Sequence, residues 1–276
     1  MTRTILLTLV TMVAFAANSV LCRLSLSHST IDPASFTFVR LASGAAALWL
    51  LSSVIGRHKT GGSWKGAATL VLYAITFSLA YVALPAGTGA LLLFGAVQVT
   101  MITAGFAKGE RLSVGQWIGL ILALAGLAVL VAPGVSAPPP LGAALMALSG
   151  MFWGIYSLLG RGSGDPTATT AGNFLRAAPL ALLPLAATAG RLSIDGSGVL
   201  YAVLSGTLAS GCGYILWYSV LPRLSAAQAA SVQLSVPVIA ALGGALSMGE
   251  ALSARLGIAT VTTLGGIAIV IAGRRR

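Results

Sequence analysis

Three amides, Asn18, Gln98 and Gln233, stand inside long apolar runs of this 276-residue chain. An amide in apolar surroundings is costly unless it is paired. Each must therefore hydrogen-bond to a neighbouring helix or to a polar group brought in from outside, such as a carboxylate or an amine. Aromatic side chains accompany them. Phe77 and Tyr81 are spaced i, i+4 and share a helix face, as do Tyr214 and Tyr218, while Trp153 and Tyr156 lie well inside another run. Arg40 and Arg176 fall about two turns inside their runs, where the expectation is that they snorkel to an interface; contact with a carboxylate or a gate is the alternative.

Other chemistry is excluded by what is missing. All five acidic residues lie at the edges of apolar runs, and both histidines, His28 and His58, fall in loops. Neither HExxH, GxSxG nor a P-loop is present, so no catalytic residue and no enzymatic activity are expected. Cys22 and Cys212 have no metal or disulfide spacing and read as small packing residues; no metal and no cofactor are expected. The net charge of +11 suggests nucleic acid at first sight. The basic residues sit between apolar runs and form no stripe, so membrane topology accounts for them better.

The composition dictates the elements that hold these residues. Hydrophobic residues make up 57% and charged residues 8%, against about 25% charged in soluble domains. Such a chain cannot cover its surface with charge, and lipid must cover it. Ten spans of roughly 20 residues can be drawn, at about 4–22, 34–55, 66–83, 86–107, 113–132, 141–160, 170–189, 196–221, 225–248 and 256–273. The first resembles a cleavable leader, with Arg3 and Ala14-Phe15-Ala16, but it continues to Cys22 and has a counterpart later in the chain, so it is kept as a helix. The segment from Pro133 to Pro140 is a rigid linker between two halves, 1–135 and 141–276.

The halves follow one script. Gly109, Glu110, Leu112 and Ser113 correspond to Gly249, Glu250, Leu252 and Ser253; Ser19 and Arg23 to Ser157 and Arg161; Asp32-Pro33 to Asp165-Pro166; Arg40 to Arg176; Tyr81, Leu84 and Pro85 to Tyr218, Leu221 and Pro222. Asn18 is matched by Tyr156, and the Phe77/Tyr81 pair by Tyr214/Tyr218. Five helices per copy is odd, so the second copy enters the bilayer from the opposite side. That is an inverted repeat, which points to alternating access around a midplane site. Arg3, Arg57, Lys59, Lys65, Lys108, Arg111, Arg161, Arg223, Arg274, Arg275 and Arg276 fall on one side, and only Arg23, Arg191 and Arg255 on the other. Both termini are therefore expected to be cytoplasmic. Glu110 and Glu250 are expected to suit the positive ends of the helices they precede, and Asp32 and Asp165 to cap theirs. Trp49, Trp64 and Trp117 read as anchors or packing residues.

An apolar helix, then Gly-Glu-x-Leu-Ser, then a Gly-rich helix, seen at Gly109–Ser113 and again at Gly249–Ser253, resembles the EamA-type transporters of the drug/metabolite transporter superfamily. Pro237 stands at its usual place in the second copy, and Val97 replaces it in the first. The resemblance covers essentially the whole chain. It implies an all-α integral membrane protein of ten helices in two inverted five-helix repeats, in a bacterial inner membrane. It implies export of small metabolites, amino acids first and large or aromatic neutral ones among them, with a multidrug or nucleobase carrier as the alternative. The expected substrate-binding residues are Asn18, Phe77, Tyr81, Gln98, Trp153, Tyr156, Tyr214 and Gln233. With no acid inside a span, facilitative transport is expected, proton coupling being the alternative. The partners expected are the solute and the lipid, with the protein a monomer or weak dimer.

Overall fold

A computed structural model describes residues 2–54, 61–107, 113–134, 137–160, 165–220, 232–233 and 235–272. The described residues form helices and no strand. They run as α1 (Thr2–His28), α2 (Pro33–Val54), α3 (Trp64–Tyr81), α4 (Ala86–Ala107), α5 (Val114–Val131), α6 (Pro140–Gly160), α7 (Pro166–Leu180), α8 (Leu182–Ala187), α9 (Gly196–Leu204), α10 (Gly213–Val220), α11 (Ser235–Met248) and α12 (Ala254–Ala272), with a π-helical segment, Ser205–Cys212, joining α9 to α10.

Local chemistry sets the helix starts. Asp32 accepts from the Ala34 and Ser35 amides at 2.9 and 3.0 Å ahead of Pro33, and Asp165 does the same for Thr167 and Ala168 ahead of Pro166. Ser113 and Gln116 form a reciprocal capping box on α5. The Gly249–Ser253 turn works residue by residue. Gly249 at φ +66° adopts the left-handed conformation that closes α11, and the Gly249 and Glu250 amides donate back to the Ala245 and Gly244 carbonyls. Ser253 then caps α12 through the Leu256 amide. In the first copy, Gly109 to Leu112, and with them Glu110, lie outside the described residues.

Glu250 departs from expectation. It does not serve the start of α12; its carboxylate accepts from the Ala86 amide at 2.7 Å, at the first turn of α4, and pairs with Arg23 Nε at 3.0 Å. Arg23 Nη1 also donates to the Tyr81 and Val82 carbonyls. The left-handed glycine turns the chain back, which carries the carboxylate to a neighbour's positive end.

Among the described residues, six helical stretches are long and apolar enough to cross a membrane: Arg3–His28, Pro33–Val54, Ala86–Gly105, Val114–Val131, Pro140–Gly160 and Gly196–Trp217. Ser235–Met248 and Ala254–Val270 are shorter apolar helices. The span expected at 170–189 is broken: Pro179 lies in the last turn of α7, and α8 follows as a separate piece. Exposed Ile5, Leu6, Leu9 and Val13 on α1, Ile258 and Val261 on α12, and Leu246 on α11 are the surface that lipid covers. Trp49, Trp64 and Trp117 are exposed as well, whereas Trp153 and Trp217 are buried.

Small residues let the helices approach closely. A Cβ at Gly119 would lie 2.6 Å from the Gly266 carbonyl, which brings α5 and α12 into backbone contact, and Gln116 Nε2 reaches the Val270 carbonyl across that seam at 3.3 Å. At Gly206 a Cβ would overlap the Arg40 carbonyl, so α2 can cross the π segment only because a glycine stands there.

Candidate functional site

The buried centre is built around α3. Tyr73, Phe77 and Tyr81 recur every fourth residue, and their rings touch in sequence, at centroid distances of 5.4 and 4.7 Å. From α6, Trp153 lies 5.0 Å from Tyr73 and 4.9 Å from Tyr214 of α10, and stacks on Tyr156 at 5.5 Å. Phe15 of α1 meets Trp153, Tyr214 and Trp217 edge-on at 6.4, 6.0 and 5.9 Å. Edge-to-face and offset pairs at such distances are the favoured aromatic geometries.

Arg40 lies inside this group, with 1% of its surface exposed. Its Cζ sits 5.2 Å from the Tyr73 ring centroid and 5.1 Å from that of Phe77. Nε donates to Ser210 Oγ at 3.3 Å and Nη2 to the Tyr73 hydroxyl at 3.1 Å, while Nη1 has no partner among the described residues. No acidic side chain pairs with it among the described residues; the ion pair found there is Arg23–Glu250. The expectation that Arg40 snorkels is corrected. Its helix is held against the π segment at Gly206, which leaves the side chain no path to an interface and points it at α3.

The Tyr73 hydroxyl is the hub. It accepts from Arg40 Nη2 and from Asn18 Nδ2, each at 3.1 Å, so its own proton remains to donate. Asn18 Oδ1 accepts from Ser205 Oγ at 2.7 Å. Ser205 and Ser210 both belong to the π segment, a geometry that recurs at functional sites. The Tyr214 hydroxyl is buried beside Tyr73 and in electrostatic reach of Arg40.

Of the eight residues singled out from sequence, the fold brings Asn18, Phe77, Trp153, Tyr156 and Tyr214 to this centre. The Tyr156 hydroxyl is taken up by Asn173 Nδ2 at 3.4 Å, and Asn173 Oδ1 accepts from the Ser63 amide. Tyr81 belongs to the same ring stack, but its hydroxyl donates to the Ala86 carbonyl at 3.2 Å, beside the Arg23–Glu250 pair. Gln98 is half-buried on α4, and Gln233 is half-buried beside Val232, which packs on the core. Sequence reasoning missed Tyr73, although the i, i+4 stripe of Phe77 and Tyr81 extends back to it by one turn. It also missed Phe15, Ser205 and Ser210. No group of three or more His, Cys, Asp or Glu among the described residues could hold a metal. The centre is walled by aromatic rings and holds the Arg40 guanidinium and the Asn18 amide among them.

The EamA-like transporter family model matches the sequence twice, over residues 2–132 and 140–272. A Pseudomonas aeruginosa protein, called only "uncharacterized", is 58% identical over 99% of this chain and 96% of its own length. A "probable terminal-alkyne amino-acid exporter" of Streptantibioticus cattleyicolor is 28% identical over 76% of this chain and 73% of its own. One crystal structure superposes with a TM-score of 0.68 at 24% identity, covering 95% of this chain and 97% of the other, and shows the same fold.

Proposed function

Because the chain belongs to the EamA-like transporter family and is therefore a multi-pass membrane protein, we propose that it exports amino acids, large or aromatic neutral ones included. The observation that carries this is the aromatic centre to which both family-matching halves contribute: Phe15 and Tyr73 from the first, Trp153 and Tyr214 from the second. A ring-walled site with a few polar groups suits a solute that has an apolar side chain and a charged head. The printed name of the Streptantibioticus relative supports the same substrate class.

In this reading the ten expected spans form two inverted halves, 1–135 and 141–276, in a bacterial inner membrane with both termini cytoplasmic. The solute passes by alternating access between them. Asn18, Phe77, Trp153, Tyr156 and Tyr214 line its path, with Tyr81, Gln98 and Gln233 further along it, and the protein works as a monomer or weak dimer. Transport is facilitative, in keeping with acids that sit at helix ends, as Asp32, Asp165 and Asp195 do.

A counterflow screen in proteoliposomes, with labelled amino acids, nucleobases and lipophilic cations, tests the substrate class. Neutral amino acids exchange without an imposed pH gradient; exchange of cations alone, or dependence on the gradient, refutes the corresponding part. Accessibility tags test the inversion, with the proline-rich linker and the C-terminus expected on opposite faces and refutation coming from a common face.

A further inference from the structure

Three side-chain oxygen or nitrogen atoms are buried without a hydrogen-bond partner among the described residues: Ser35 Oγ, Arg40 Nη1 and Tyr214 Oη. Two of them belong to the same cluster. Arg40 and Tyr214 meet around Tyr73, whose hydroxyl already accepts twice and keeps one proton to give. The locality therefore holds a guanidinium nitrogen that no described residue accepts from, with two tyrosine hydroxyls beside it, and Arg40 has no carboxylate partner among the described residues. A buried cation without an anion is expensive, and a guanidinium matches a carboxylate's two oxygens as no neutral group does.

We propose that Arg40, with the hydroxyls of Tyr73 and Tyr214, is the carboxylate-binding subsite of the transported solute. The inference rests on the transport reading above and deepens it, since it fixes the charged end of the substrate. The solute's carboxylate completes the Arg40 pair, and its side chain lies toward the Trp153 and Phe15 rings. Carboxylic acids are carried, and their amides and amines are rejected, because a site built to satisfy donors with an anion discriminates against an analogue that lacks it.

The test uses the full-length protein in detergent and in proteoliposomes, with four probes: L-phenylalanine, L-phenylalaninamide, phenethylamine and 3-phenylpropionate. Thermal-shift titration reads binding and counterflow competition reads transport. L-Phenylalanine and 3-phenylpropionate are expected to bind on the order of tenfold or more tighter than the amide and the amine. Arg40→Gln is expected to bind all four weakly and alike, and Arg40→Lys to restore part of the preference. Tyr214→Phe, which keeps the ring and drops the hydroxyl, narrows the carboxylate-over-amide ratio. Equal binding of L-phenylalanine and its amide by the wild type overturns the proposal. So does an Arg40→Gln protein, monodisperse on gel filtration, that keeps the full preference, and so does a wild type that binds neither carboxylate. Arg40-dependent binding of 3-phenylpropionate without any amino-acid exchange keeps the carboxylate subsite and removes the amino-acid reading instead.

Discussion

Arg40 and Arg176 each stand in the second helix of their half, yet their surroundings share little. Arg176 is half-buried and satisfied: Nη1 donates to the Gly61 carbonyl at 2.8 Å and to the Gly172 carbonyl at 2.9 Å, and its Cζ lies 6.0 Å from the Trp64 ring centroid. Arg40 is fully enclosed among rings, with one nitrogen unused among the described residues. Counted from the Asp-Pro starts, Arg176 lies about one turn further along its helix, and Asn173 takes the level of Arg40. Asn173 in turn holds the Tyr156 hydroxyl much as Arg40 holds that of Tyr73. The similar sequence positions therefore conceal a division of labour, in which one cation locks backbone and the other is kept available at a cost in stability.

Exchanging each arginine for methionine separates the two roles. Arg40→Met is expected to abolish carboxylate transport and yet raise the thermal midpoint, by an amount equivalent to ~1–2 kcal/mol, because relief of a buried charge that has no carboxylate partner among the described residues outweighs the hydrogen bonds to Ser210 and Tyr73 that are lost. Arg176→Met is expected to lower the midpoint by about 1–2 kcal/mol through loss of two charge-assisted hydrogen bonds, while transport is retained. Midpoints that move in the same direction would end the contrast.

The smallest effect concerns the caps that the halves share. Burial alone would raise the Asp32 carboxyl, but hydrogen bonds from the Ser35, Ser193 and Ala34 amides hold it below its usual value. A lowered carboxylate contributes stability above its unfolded pKa and loses it as pH falls through the folded value. Asp32→Asn keeps a capping acceptor and drops the charge. Its midpoint should fall short of wild type by about 0.5 kcal/mol or less at neutral pH, and the two should converge in acid. A difference that persists in acid would assign the effect to shape.

Legibility followed the range of the forces involved. Asp32-Pro33 and Asp165-Pro166 could be read as helix starts because the acceptor, the ring and the amides they serve lie within three residues. Expected spans such as 86–107 and 141–160 agree closely with α4 and α6, since an apolar run bounded by Pro or Gly is a local signal. Arg40 was misjudged because the average cost of burying a charge favours an interface, and only the α2 crossing at Gly206 overrides that average. The π segment gave no periodic sign; what marks Ser205 and Ser210 is contact with Asn18 and Arg40, far away in the chain. Glu250 was assigned to the nearer helix because the turn-back made by Gly249 cannot be read from apolar spacing.

The distribution of tryptophans has an optical consequence. Of five, Trp49, Trp64 and Trp117 face outward, and their emission should report lipid or detergent rather than cargo. Trp153 is wedged between Tyr73, Tyr156 and Tyr214, so its fluorescence should be quenched or shifted by whatever enters beside those rings. With the three outer indoles exchanged for phenylalanine, the two that remain, Trp153 and Trp217, both lie against Phe15, and exchanging Trp217 as well would leave Trp153 as a built-in reporter of occupancy, without any attached dye.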